Sequence, residues 1–352
     1  MQKKKILCLI DILAAGGAQR QMVGLATFLK ERGYDVVLAA YHDDVFYKEL
    51  LANTGVQYIY LQKAERSITR ACAVSRYIKQ SRPDTVIAFL ETPSILACLA
   101  KMFNRSFNLI VSERNTTQHI GRNEKIRFKL FEQADHVVPN SYSQETFIKE
   151  HFPKLSSKTV AIPNFVDLDY FVPQPHERRE IPEIMVAASV WPPKNTIGFI
   201  QAVADLKRQG VKFHVSWYGA VGDSNYLREC RKMIEEEGLQ EYIILQDKYQ
   251  ESDYFCLPSY YEGTPNVICE AMACGLPIIC SGVCDNARYV HEGVNGTLVN
   301  PRSEECMMNA IVKMLRLSDS SYQLYSCESR RIAEENLSQS RFVNQYIELI
   351  NK

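Results

Sequence analysis

The chain has 352 residues, 46% of them hydrophobic, enough to bury more than one core and to suggest two domains. Its 41 Lys and Arg balance 41 Asp and Glu, so it lacks the positive excess by which proteins hold nucleic acid non-specifically. No apolar run of about 18 residues occurs, so no membrane-spanning helix is expected. The eleven cysteines form no Cys-x-x-Cys pair, and Cys8, Cys256, Cys269 and Cys280 sit in apolar runs. They read as small buried hydrophobes in a reducing cytosol, not as disulfides or metal ligands.

The charge is unevenly placed. Residues 1–168 hold 23 Lys and Arg against 16 Asp and Glu, and residues 169–352 hold 18 against 25. A basic first half suits an anionic membrane surface or a polyanion.

Lys5–Ile10 reads as an opening strand, because Asp11 and a glycine turn follow too soon for a leader sequence. Gly16-Gly17 sits in the break before a helix Gln19–Arg32, closed by Gly33, and Val36–Ala40 is the next strand. Such a turn lets backbone approach a phosphate, though about two in three such turns are only sharp corners. Strand signals at Val56–Leu61, Thr85–Leu90 and Leu109–Ser112 alternate with helix signals at Ile68–Arg82 and Ser94–Phe103. This alternation predicts a parallel sheet covered on both faces.

Ser112-Glu113-Arg114-Asn115 ends a strand in charge, which marks either a site or a structural ion pair. Over residues 119–131, Arg122, Lys125, Arg127 and Lys129 alternate with Ile126, Phe128, Leu130 and Phe131. That spacing favours a core helix with its bases exposed over a helix lying in a membrane interface. Residues 133–141 and 160–167 close the first domain, and Pro173–Pro182 is the linker.

The second half starts with a strand Glu183–Ser189, a loop Trp191–Asn195 containing Lys194, and a helix Thr196–Gln209. A strand Lys212–Trp217 runs into a turn at Gly219; a helix Tyr226–Glu237 and a strand Tyr242–Leu245 follow. Tyr254–Leu257 is a buried strand, then a loop Glu262-Gly263-Thr264-Pro265, a helix Pro265–Cys274 closed by Gly275, and a strand Leu276–Cys280. Thr264 is expected as N-cap, with Pro265 first in the helix. Glu262 and Glu270 bracket the helix start, whose free amides near Thr264–Val267 make an electropositive end suited to phosphate. Ser303–Leu317, Ser320–Asn336 and the amphipathic Arg341–Ile350 complete the chain as helices.

Glu262-Gly-Thr-Pro-Asn266, running on through Glu270-Ala-Met-Ala-Cys-Gly-Leu-Pro277, Asn295-Gly296 and Val299-Asn300-Pro301, resembles the signature of the retaining glycosyltransferases of family 4. The resemblance implies an α/β architecture of GT-B type, with two Rossmann-like domains facing across a cleft and a C-terminal helix crossing back to the first. Residues 1–168 with 338–352 would then be the acceptor side, and 169–337 the nucleotide-sugar side.

By the same resemblance Glu262 lies by the donor sugar, and Gly263, Thr264, Pro265, Asn266 and Val267 hold sugar hydroxyl and phosphate. Glu270 binds the ribose hydroxyls, Lys194 binds the diphosphate, Gly16 and Gly17 approach the donor phosphate, and Gly219 turns near the nucleotide. Arg114 and Asn115 stand where many members carry a histidine that contacts the donor sugar. Ser189 stands where an arginine usually partners the lysine, which leaves the work to Lys194 and the helix terminus or requires another arginine such as Arg288. The 246–248 loop is shorter than the one that touches the base in other members.

The function implied is transfer of a sugar, with retention, from a nucleotide-diphosphate sugar (a UDP-sugar first) to a glycan or polyprenyl-linked acceptor in surface-polysaccharide assembly. Neither metal nor cofactor is expected. The setting implied is the cytoplasm, with peripheral attachment to the inner face of the membrane. Two other readings stay open: a glycoside hydrolase using Glu262 and Glu270 as acid and nucleophile, and a nucleotide-sugar-binding protein weakened by Ser189 and the short loop.

Overall fold

Short strands that are apolar on both faces must be covered on both sides, and this chain builds two sheets of that kind. The computed structural model describes residues 3–44, 46–61, 67–117, 119–174, 178–246, 252–262 and 264–352. The chain divides into one unit of Met1–Phe165 with Gln339–Lys352 and a second of Val166–Ser338.

In the first unit the elements are β1 (Lys5–Leu9), α1 (Gly17–Glu31), β2 (Asp35–Ala40), α2 (Lys48–Thr54), β3 (Gln57–Tyr60), α3 (Ser67–Ser81), β4 (Thr85–Phe89), α4 (Glu91–Phe103), β5 (Asn108–Glu113), α5 (Arg122–Phe131), β6 (His136–Pro139) and α6 (Tyr142–His151). The sheet is parallel throughout, in the order β3-β2-β1-β4-β5-β6. The second unit repeats the plan with β7 (Glu183–Ala187), α7 (Thr196–Arg208), β8 (His214–Tyr218), α8 (Ser224–Glu236), β9 (Ile243–Gln246), β10 (Tyr254–Leu257), α9 (Asn266–Ala273), β11 (Ile278–Ser281), α10 (Asn286–Tyr289), β12 (Gly296–Val299), α11 (Glu304–Leu315) and α12 (Asp319–Asn336). Its order, β12-β11-β10-β7-β8-β9, is the same doubly wound sequence read from the other end.

In such sheets the order reverses at one pair of strands, and ligands bind outside their carboxyl ends. The reversals fall between β1 and β4 and between β7 and β10. Three non-glycine residues with positive φ stand just beyond carboxyl ends: Leu90 (φ 74) after β4, Asn195 (φ 57) beyond β7 and Cys284 (φ 49) after β11. Held strain of this kind gathers at functional edges.

The last helix, α13 (Gln339–Asn351), belongs to the first unit. Its buried residues Phe342, Val343, Tyr346, Leu349 and Ile350 recur at helical spacing and join the core beneath α1. The Phe342 ring packs 5.1 Å from that of Phe165. Lys4 and Asn108 donate to the carbonyls of Ile350 and Leu349 at 3.1 and 2.9 Å, fastening its end. Among the described residues no helix is long and apolar enough to cross a membrane.

Several elements differ from expectation. Helix α2 and strand β12 carry no strong periodicity of their own and emerge only in the fold. Helix α9 starts at Asn266 with Pro265 as its N-cap, not Thr264, because Pro265 takes an extended ψ of 117°. Its C-terminus closes as expected: Gly275 is left-handed at φ 75, and the amides of Gly275 and Leu276 bond to the carbonyls of Met272 and Ala271. Cys8, Cys256, Cys269 and Cys280 are all buried.

Candidate active site

The second unit concentrates its chemistry at the reversal between β7 and β10. After β7 the chain makes a short 3-10 turn, Pro192–Lys194, and Asn195 then takes a left-handed conformation to start α7. After β10 it passes through Ser259–Glu262 before α9. Two bonds tie these loops together, and a third ties the first of them to the segment beyond β12. The Tyr260 amide donates to the Pro193 carbonyl at 2.9 Å. Buried Asn195 donates through Nδ2 to the Pro301 carbonyl, beyond β12, at 2.8 Å. Lys194 Nζ donates to Glu262 Oε1 in an ion pair whose side chains are 23% and 11% exposed.

Lys194 therefore carries its charge at a fixed place, and Glu262 is fixed with it. Four residues on, α9 begins without a side-chain cap. Its first amides supply positive potential that no side chain of its own N-cap neutralises. Thr264 and Pro265 are buried, while Asn266, Val267 and Glu270 are half-buried. Gly263 lies outside the described residues. A cation held by a carboxylate beside a helix N-terminus can receive a diphosphate, and the carboxylate keeps an oxygen for a sugar hydroxyl.

Gly219 follows β8, and a Cβ there would stand 2.2 Å from the Ala188 carbonyl oxygen. The close approach of two chain segments thus accounts for this glycine before any ligand does. Arg288 is exposed on α10, and Ser189 is half-buried beyond β7. Of the 246–248 loop, residues 247 and 248 lie outside the described residues. One Asp-x-Asp spacing does occur, at Asp167-Leu168-Asp169, but Asp167 Oδ1 accepts from the amides of Asp169 and Tyr170 at 3.2 and 3.1 Å. It is a turn in which the first carboxylate serves the backbone.

In the first unit Gly16 is the N-cap of α1 and Gly17 its first residue, again with no side-chain cap. This helix end stands at the reversal between β1 and β4. Arg114 follows β5; one guanidinium nitrogen meets Asn164 Oδ1 at 2.5 Å, another Ser112 Oγ at 3.4 Å, and the group lies 4.4 Å from the centre of the Phe89 ring. Desolvation holds its pKa below the usual arginine range. Asn115 is exposed. Glu113, 1% exposed, is the buried end of β5, and Arg127 Nε stands 3.5 Å from its Oε2. Arg127 is itself only 5% exposed, against the expectation that the bases of this helix face solvent, while Ile126 is 50% exposed.

Two family profiles match the chain: Glycosyltransferase Family 4 over residues 15–170 and Glycosyl transferases group 1 over residues 181–317. The chain belongs to the family 4 glycosyltransferases.

Over 341 residues it is 25% identical to an N-acetylgalactosamine-N,N'-diacetylbacillosaminyl-diphospho-undecaprenol 4-alpha-N-acetylgalactosaminyltransferase of Campylobacter jejuni, covering 90% of each chain. It is 26% identical over 196 residues to a UDP-Gal:alpha-D-GlcNAc-diphosphoundecaprenol alpha-1,3-galactosyltransferase of Escherichia coli, covering 51% of this chain and 50% of that one. Among solved structures, Anabaena HepE in complex with UDP and glucose superposes with a TM-score of 0.84 at 19% identity over 99% of both chains. A glycosyltransferase from Rickettsia africae gives 0.85 at 17% identity, over 99% of this chain and 98% of that one. The fold of this family 4 glycosyltransferase is GT-B.

The motif residues of this glycosyltransferase thus sort by unit. Lys194, Glu262 and the start of α9 share the carboxyl edge of the second sheet, with Glu270 about one turn into that helix, and Gly16, Gly17, Arg114 and Asn115 share that of the first. Sequence reasoning missed the links from Arg127 to Glu113 and Glu91. Their signal is faint, because Arg127 is one of four basic residues interspersed with apolar ones along α5.

Proposed function

We propose that this glycosyltransferase moves a sugar from a UDP-sugar to a polyprenyl-diphosphate-linked glycan, with retention at the anomeric carbon and without metal or cofactor. The observation that carries this reading is the Lys194–Glu262 pair beside the uncapped start of α9. The relatives named above act on undecaprenyl-diphosphate-linked sugars, and HepE is known with UDP; both support the choice of donor and acceptor.

In this mechanism the bond from the anomeric carbon to the donor diphosphate breaks, and one to the acceptor hydroxyl oxygen forms on the same face. The acceptor proton passes to a phosphate oxygen of the departing diphosphate. Lys194 and the amides of Thr264 to Val267 receive the charge that leaves, while Glu262 orients a sugar hydroxyl. Glu270 holds the ribose. By the family's pattern Gly16 and Gly17 are the first unit's candidates for contact with donor phosphate and Arg114 and Asn115 its candidates for contact with sugar, while Arg288 or the start of α9 supplies the positive charge that Ser189 does not.

A thermal-shift screen against nucleoside diphosphates and their sugars tests the donor. Incubation of the stabilising sugar nucleotide with a polyprenyl-diphosphate-linked acceptor, with the anomer of the product read by NMR, tests transfer and retention. Selective stabilisation by UDP and an α-linked product from an α-linked donor are expected. An inverted product overturns the mechanism, and release of free sugar from a glycoside, with no transfer, favours hydrolysis by the two glutamates.

The same proposal sets the enzyme against the inner face of the cytoplasmic membrane. Helices α3, α4 and α5 pack side by side, and Arg76, Lys79, Arg122, Lys125 and Lys129 are exposed there along with Met102, Phe103 and Ile126. Basic residues around exposed apolar ones suit anionic lipid. Co-sedimentation with vesicles containing anionic lipid, lost in high salt and absent with neutral lipid, is the expected result.

A further inference from the structure

Arg127 has three anchors in three segments. Its guanidinium stands 3.0 Å from Glu91 Oε2 in the first turn of α4 and 2.7 Å from Thr117 Oγ1 between β5 and α5. It lies 3.5 Å from Glu113 Oε2 at the end of β5. The Thr117 amide is held in turn by Gln144 Oε1 of α6 at 3.1 Å. Glu91 is 43% exposed, but Glu113 and Arg127 are both removed from water, and a pair so placed is a poor source of stability, since desolvation offsets most of the attraction. It is a good source of definition, because a forked guanidinium accepts few arrangements of its partners. What it defines is the segment that opens with Arg114 and Asn115.

We propose that Glu113 and Arg127 are positioning residues, which hold the segment after β5 so that Arg114 and Asn115 reach the sugar-bearing substrates. The proposal rests on the transferase reading above. It goes beyond it in assigning a function to two buried residues that touch no substrate themselves.

The test compares wild type with Arg127→Met, Arg127→Lys and Thr117→Val by hydrogen exchange of the segment between β5 and α5. It adds steady-state transfer from UDP-galactose, UDP-N-acetylglucosamine or UDP-N-acetylgalactosamine to an undecaprenyl-diphosphate-linked N-acetylhexosamine. Arg127→Met should raise exchange in that segment about tenfold or more, leaving exchange in the second unit unchanged. It should lower kcat by about tenfold or more while KM for the sugar nucleotide stays within about threefold. Arg127→Lys, which keeps the charge and loses the fork, should fall between. Because Arg127→Met risks a lower yield of folded protein, Thr117→Val removes only the link to the segment and should shift both readouts in the same direction by a smaller amount. Wild-type exchange and kcat in folded Arg127→Met, or in Thr117→Val, overturn the proposal. If wild type transfers no sugar from any of the three donors, the proposed choice of donor and acceptor fails, while the exchange measurement still decides whether Arg127 holds the segment.

Discussion

Lys194 and Glu262 meet across the reversal of the second sheet, the lysine following β7 and the glutamate following β10. Sixty-eight residues separate them in the chain, and only the parallel pairing of β7 with β10 brings them together. Each therefore fixes the other, and substitutions at the two positions should not act independently. Glu262→Gln is expected to lower kcat/KM by about thirtyfold or more, equivalent to ~2 kcal/mol of transition-state stabilisation. Lys194→Met should cost about 10²-fold or more in kcat, as removal of a preorganised donor does. The double variant should lose clearly less than the product of the two, and a double-mutant cycle on initial rates reads this coupling.

Glu113 gives the enzyme a pH-dependent stability of unusual sign for a carboxylate. Burial raises its pKa from 4.5 to about 7; Arg127 of α5 opposes the rise, Glu91 of α4 adds to it, and the Asn115 amide opposes it again. The folded state then binds the proton more tightly than the unfolded chain. Its contribution is present below about 4.5 and is lost as pH rises through about 7. Wild type should lose up to about 3 kcal/mol relative to Glu113→Gln between those limits. Urea denaturation of both proteins at pH 5 and pH 7.5 measures the difference, and parallel behaviour of the two would refute it.

The glycine at 219 should prove necessary to folding before it proves necessary to catalysis. Because an added methyl would sit 2.2 Å from the Ala188 carbonyl oxygen, Gly219→Ala must push apart the segments beyond β7 and β8. A loss of about 2 kcal/mol or more is expected, in the range set by overpacking. A thermal melt without any ligand suffices to see it. An unchanged melting temperature with weakened UDP affinity would instead assign this glycine to the ligand.

Helix α13 should behave as part of the first core although it is last in the chain. Phe342 and Tyr346 are 2% and 0% exposed, and their rings pack 5.2 Å apart. Phe342→Ala should destabilise the first unit by about 3–5 kcal/mol. Hydrogen exchange resolved by segment should show faster exchange in β1 and α1, with α7 and α9 unaffected.

Much of this is legible in the chain itself. Alternating strand and helix signals predict parallel sheets, and the run from Glu262 to Pro277 points to the family, because both depend on residues close together in sequence. The α9 boundary is harder: Thr264 and Pro265 are both good first-turn residues, and only the extended ψ of Pro265 decides between them. Arg127 reads as a solvated base since its neighbours Lys125 and Lys129 are exposed, and what buries it lies on β5 and α4. Helix α2 is seven residues long, too short for periodicity to distinguish it from a polar loop.

An ammonium already answered by a carboxylate is a weak trap for stray anions. Inorganic phosphate or sulfate arriving at Lys194 would gain its attraction and at once meet the repulsion of Glu262. A molecule that brings an anion for one partner and hydroxyl donors for the other meets no such opposition. Discrimination against the abundant small anions of a cell would then be present before any base or sugar is recognised, as a by-product of how two loops are joined.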